Sequence, residues 1–141
     1  MPAGASRVVT VDTSVAVPLV LHNHAAHSAV TSWCAGKEIS VCGHAWIETY
    51  AVLTRLPGAA RVAPADAAQL LASNFSDPIA PRPDTLTRAV EVFAAAGIAG
   101  GATYDGWVAL AAIDHRAVLA SRDARAESTY RRLGADVEMV S

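Results

Sequence analysis

Cysteine, lysine and charge of either sign are scarce in this chain of 141 residues, which has two cysteines, a single lysine at position 37, and 17% charged residues. Cys34 and Cys42 form no CxxC metal or redox motif and are too few for a disulfide framework, so both are expected as small core residues. With Lys37 as the only lysine, the chain lacks the Lys-Ser/Thr of a P-loop. It also lacks the late lysine that an aspartyl-phosphate site sets against its phosphoryl group. A GxSxG nucleophile elbow is absent too. No apolar run reaches the roughly 20 residues of a membrane span, because Asp12 and Pro18 interrupt the first candidate. The opening MPAGASRVVT has no charged-then-apolar order of a secretory signal, so the expectation is a soluble, cytoplasmic protein with no membrane partner.

What is present suffices for a core. Hydrophobic residues make up 52% of the chain, enough for one compact domain over 1–141 and too little for a second. The net charge of -2 is unpromising for an evenly charged nucleic-acid binder. Yet Arg116, Arg122, Arg125, Arg131 and Arg132 crowd one late segment, which reads either as a solvated helix face or as a basic patch.

Valine-rich Arg7 to Val11 alternates little and predicts a strand buried on both faces. Helices are expected over Thr13 to Leu21, with Pro18 as a kink, and over Ala25 to Ala35, closed by Gly36. Ile39 to Cys42 and Ala117 to Ser121 are the next strands, each followed at once by a helical pattern. Between them lie helices over Ala45 to Leu56 and Ala65 to Phe75, then a Pro78, Pro81, Pro83 turn region holding a very short strand at Ile79. Another helix, N-capped by Asp84, runs to Ala96 and stops at Gly97. A helix beginning at Asp105 and a final strand near Val137 to Val140 complete the reading. This alternation predicts an α/β sandwich on a mainly parallel sheet.

Four carboxylates sit at the edges of apolar segments: Asp12 in VVTVDTS, Glu48 in HAWIETYAVLTRL, Asp105 in ATYDGWVALAA and Asp123 in AVLASRD. In open α/β sheets ligands bind outside the carboxyl ends of strands, which is where Asp12 and Asp123 fall. Each, taken singly, reads equally as a helix N-cap. Glu48 is the only acid of its helix, with Trp46, Tyr50 and Leu53 as the core stripe opposite, and Asp105 has small same-face neighbours in Ala109 and Ala112. Asp114 is expected to face solvent. Hard divalent cations such as Mg²⁺ or Mn²⁺ favour carboxylate and water oxygens and act on phosphate esters, so a gathered set of this kind points to a phosphodiesterase. His22, His24 and His27 lack cysteine partners and read as a polar loop. His44 either supports the Glu48 helix or lines a loop.

The order VDTS, an apolar helix with an internal glutamate, YDGWVALAA, then LASRD followed by YRRLGADV resembles the PIN-domain ribonucleases, in particular the VapC-type toxins of bacterial toxin–antitoxin pairs. The resemblance implies a PIN-like three-layer α/β sandwich, with a central parallel sheet flanked by helices. It implies a metal-dependent endoribonuclease with Asp12, Glu48, Asp105 and Asp123 as catalytic, metal-holding acids and Mg²⁺, or Mn²⁺, as cofactor. Ser14 and Ser121 would stand beside the first and last acids to hold a water, and Arg122 and Arg125 would hold flanking phosphates. RNA substrate, a small cognate antitoxin and homodimerisation follow as expected partners, the antitoxin helix docking on the apolar half from Val15 to Trp33 and Trp46 to Leu56. A catalytically silent protein- or RNA-binding module is the alternative. One departure is Gly106, where alanine is more usual and a looser first helical turn is expected.

Overall fold

The computed structural model describes residues 7–141. Four parallel strands, β1 (Val9–Val11), β2 (Ile39–Val41), β3 (Val118–Ser121) and β4 (Asp136–Met139), form one sheet in the order β2-β1-β3-β4. Every residue of β1 and β2 is buried, as a strand must be when both faces of a parallel sheet are covered. The helices that cover it are α1 (Thr13–Val20), α2 (His27–Cys34), α3 (His44–Thr54), α4 (Pro64–Asn74), α5 (Pro83–Ala95), α6 (Ala102–Asp114) and α7 (Ala124–Arg132). The expected α/β sandwich with a parallel sheet is what forms. Ile79, as expected, makes a very short strand, a single parallel bridge to Cys42 beside β2.

From β1 the chain crosses to β2 on one side, and it later returns to β3 on the other. The strand order therefore reverses between β1 and β3, and the crevice outside their carboxyl ends is where such a sheet binds ligands. Asp12 and Asp123 stand at this crevice. The core behind it is aliphatic: Val11, Val15, Val30, Val41, Leu53 and Leu119 are fully buried, with Cys42 among them and Cys34 at its edge. Burial pushes the Cys42 thiol up to about 12, which keeps it an inert core residue.

Several local expectations need correcting. The first strand starts at Val9; Arg7 and Val8 are exposed, and Arg7 pairs with Asp136. The helix carrying Asp105 starts three residues earlier, at Ala102. Asp84 does not cap α5: Pro83 takes the first helical position, and the Asp84 carboxylate turns outward to Arg82 and Arg88. Asp114 reaches across from α6 to the residue before α5, accepting the Arg82 backbone N–H at 2.8 Å and a bond from the Thr85 side chain. Asp114 is thus tucked against α5 rather than facing solvent. Burial alone would raise its pKa, but the Thr85 bond, the Arg82 amide and the Arg82 charge together bring it below the ordinary value. In α3 the fully buried stripe is Ala45, Thr49 and Leu53, while Trp46 and Tyr50 pack at its margin.

Gly106 is not a loosened turn either. It is buried in α6, and a Cβ there would lie 2.7 Å from Phe93 Cε1, so its bareness lets α5 and α6 approach through the Phe93 ring. Most apolar residues from Val15 to Trp33 and from Trp46 to Leu56 lie in or against the core, while Ile47 on α3 is exposed. Among the described residues, the large apolar side chains exposed by more than half are Val8 before β1 and Ile47, Leu86, Val90 and Tyr104 on α3, α5 and α6.

Candidate active site

Asp12, Glu48, Asp105 and Asp123 line one small pocket of about 50 Å³, together with Thr13, Ser14, His44 and Tyr130. Residues from four distant segments of the sequence meet there, and no lysine or arginine lines it.

Asp12 closes β1 and opens α1. It is only 5% exposed, and burial raises its pKa. Four donors oppose that rise. Oδ1 accepts the Ser14 amide at 3.0 Å and the Ser14 hydroxyl at 2.5 Å; Oδ2 accepts the Ser121 hydroxyl at 2.5 Å and the Tyr130 phenol at 2.8 Å. Asp12 is therefore the N-cap that its sequence position allows, and it is also locked to β3 and α7. The two serine hydroxyls give their protons to Asp12 and accept backbone N–H groups in return, Arg122 to Ser14 at 2.7 Å and Asp123 to Ser121 at 3.0 Å. Asp123 caps α7 in the same dual manner: both capping bonds, from the Arg125 and Ala126 amides, fall on Oδ1.

Asp105 is the fourth residue of α6. Its pKa is pushed up to about 6, first by burial and then by the charges of Asp123, Asp12 and Glu48, with His44 opposing. Glu48, half-buried on α3, lies 3.4 Å from His44 Nε2 one turn earlier. Tyr130 is the residue that sequence reasoning missed. Its phenol is buried beside Asp12, which holds its proton firmly in place. The available signal was an aromatic on the buried Ala126–Thr129–Tyr130 stripe of α7, whose hydroxyl needs a partner when buried.

The remaining expected residues separate. Arg122 and Arg125 flank Asp123 with exposed side chains, Arg125 being 96% exposed with Nε 3.8 Å from Asp123 Oδ1. Of the other arginines in the run, Arg131 pairs with Glu127 and Arg132 donates to the Ala96 carbonyl. His24 accepts the Ala26 amide, and His27, which opens α2 and so is not in the loop, donates to the Pro18 carbonyl. His44 opens α3 and stacks on Tyr104.

Among the described residues no three His, Cys, Asp or Glu side chains converge closely enough to form a finished ligand cage. The chemistry of the donor set nevertheless suits a hard divalent cation. All four acids offer oxygen, and their repulsion is written into the raised proton affinity of Asp105. The buried Thr13 Oγ1 at the same pocket has no partner among the described residues, so one polar contact there is still to be met.

The chain is similar to known proteins in both sequence and fold. Ribonuclease VapC27 of Mycobacterium tuberculosis is 52% identical over 129 residues, covering 92% of this chain and 94% of that one. Ribonuclease VapC40 of the same species is 36% identical over 138 residues, covering 95% and 100%. The fold matches that of VapBC2 from Rickettsia felis, solved bound to a DNA fragment from their promoter, with a TM-score of 0.65 at 12% identity over 95% of this chain and 99% of that one. The model of the PIN domain matches residues 9–132, from the first residue of β1 to the last of α7 and so across all four pocket acids, and the chain belongs to the PIN-domain family.

Proposed function

We propose that this chain is a metal-dependent endoribonuclease, the toxin of a toxin–antitoxin pair, and that it hydrolyses RNA phosphodiester bonds with water. The observation that carries the reading is the gathering of Asp12, Glu48, Asp105 and Asp123 around one pocket whose lining holds no lysine or arginine. Crowded carboxylates repel one another and serve little purpose without a cation. The relatives VapC27 and VapC40 are both described as ribonucleases.

Mg²⁺ or Mn²⁺ would be held mainly by Asp12, Asp105 and Asp123, with Glu48 direct or through water, and when bound would stabilise developing phosphate charge and increase the acidity of water. The chain's own contributions are distinct. Ser14, Ser121 and Tyr130 keep the Asp12 carboxylate in one orientation and favour its charged form despite burial. Asp105 carries a proton for part of the time near pH 6, and cation binding must displace it, so metal affinity falls in acid. Arg122 and Arg125, exposed beside Asp123, are suited to bind flanking phosphates by paired N–H donors. The proposed partners are RNA, a small cognate antitoxin and a second copy of the chain.

The test is cleavage of total cellular RNA by the purified chain, with cut ends mapped. Cleavage requires Mg²⁺ or Mn²⁺, stops on chelation, and leaves 5′-phosphate and 3′-hydroxyl ends, because water and not the ribose 2′-hydroxyl attacks. Ends bearing 2′,3′-cyclic phosphate would overturn the mechanism. A chain with no cleavage under any divalent cation would favour the silent binding module.

A further inference from the structure

Helices α3, α5 and α6 leave an apolar groove of about 510 Å³ between them. It opens beside the acidic pocket, and His44 lines both. Tyr104, the residue before Asp105, is 58% exposed at this groove. Its ring lies over the His44 imidazole with centroids 4.8 Å apart and planes inclined by 25°. Phe93 and Trp107 line the groove, and Ile47 and Leu86 are exposed along it.

An exposed aromatic ring fixed by a stack, with its neighbour in the chain directed to the acids, is a surface with an apolar plane at one end and phosphate chemistry at the other. A nucleotide has the same two ends. We propose that Tyr104 is a stacking platform for the nucleobase adjacent to the cleaved phosphate, and that this groove receives the base. The inference rests on the ribonuclease reading and adds to it the group that positions the substrate. Proteins that select single-stranded RNA lay unstacked bases on aromatic side chains while charged groups track the backbone. The apolar lining supplies contact area and no phosphate-binding charge, so the groove suits the base and not the backbone. Its continuity with the acidic pocket through His44 favours a nucleotide over a protein helix, which would gain nothing from that connection. Tyr104 acts here as a positioning residue.

The experiment uses the full chain and a short RNA carrying 2-aminopurine beside the mapped cut. In chelator, binding to wild type should quench the fluorophore; with Mn²⁺, cleavage yields kcat and KM. Tyr104→Ala should abolish the quench and raise KM about tenfold or more with kcat little changed. Tyr104→Trp should restore both. RNA abasic at that position should be cleaved with equal KM by wild type and Tyr104→Ala. A Tyr104→Ala variant with wild-type quenching and KM, from a wild type that cleaves, would overturn the stacking role alone. A wild type that cleaves no RNA would remove the ribonuclease reading with it. If the raised KM of Tyr104→Ala accompanies a change from dimer to monomer on a sizing column and recovers at high protein concentration, the groove is covered by a second copy and the proposal fails.

Discussion

Asp105→Asn is the substitution with the clearest expected sign. Its carboxyl has a higher proton affinity in the folded chain than in the unfolded one, about 6 against 3.8. A group raised in this way destabilises the fold once it ionises: the cost is absent below the unfolded value, grows between the two and is complete above the folded value. Unscreened, that difference corresponds to about 3 kcal/mol. Asp105 is half-buried and partly screened, which reduces the figure to about 1–2 kcal/mol. The favourable placement of an anion near the start of α6, worth about 0.3–1 kcal/mol, is the opposing effect, and the upward direction at Asp105 says that the crowding wins. In chelator at pH 7.5 the asparagine variant should therefore melt about 3–6 °C above wild type. The gain should shrink steadily as the pH is lowered towards about 4. It should lose nearly all cleavage, and Mn²⁺ should raise its melting temperature less than it raises that of wild type. Thermal melts by circular dichroism, with and without metal, decide the matter. A variant that melts below wild type at pH 7.5 and keeps the full metal response would show that Asp105 is only a helix-terminal charge.

Three further outcomes are expected. Tyr130→Phe removes one of the donors to the buried Asp12 and should cost about 1–3 kcal/mol in urea unfolding; an unchanged midpoint would mean that the phenol bond is dispensable. Gly106→Ala adds a methyl against Phe93 and should destabilise by about 1–3 kcal/mol despite the better helix propensity of alanine, whereas a stabilised variant would show that the Phe93 ring moves aside freely. Replacing Arg122 and Arg125 together by alanine should weaken RNA binding and flatten its salt dependence without altering metal response, and an unchanged salt slope in filter binding would return them to surface ion pairing.

The parts of this molecule legible in its sequence are those with short-range causes. Asp12 and Asp123 each end a valine- or leucine-rich strand and start a helix, so their place at the sheet's carboxyl edge follows from local pattern. Ile79 is bracketed by prolines that leave room for little more than one bridge. What stayed hidden depends on who meets whom across the fold. Asp84 stands where a cap belongs, yet it lies inside α5, because Pro83 already fills the first helical position, and Asp114 of another helix takes the Arg82 amide before it. Gly106 looks like a weak helix residue until Phe93 is seen against it. The apolar first half reads as one continuous surface in the sequence, while in the fold most of it is core.

Asp12 lies near one end of the chain and its phenol partner Tyr130 stands 118 positions later. This separation bears on synthesis. While the ribosome is still making the protein, a nascent chain already displays Asp12, Glu48 and Asp105, but β3, Asp123 and Tyr130 are missing, and Asp12 has neither its distal hydroxyls nor β3 beside it. The sheet cannot close across β1 and β3 until the last fifth of the chain has emerged, since contacts of such long range form late. The four-acid pocket is thus the part of the fold that the order of the chain completes last, when β3 and the start of α7 join what is already made.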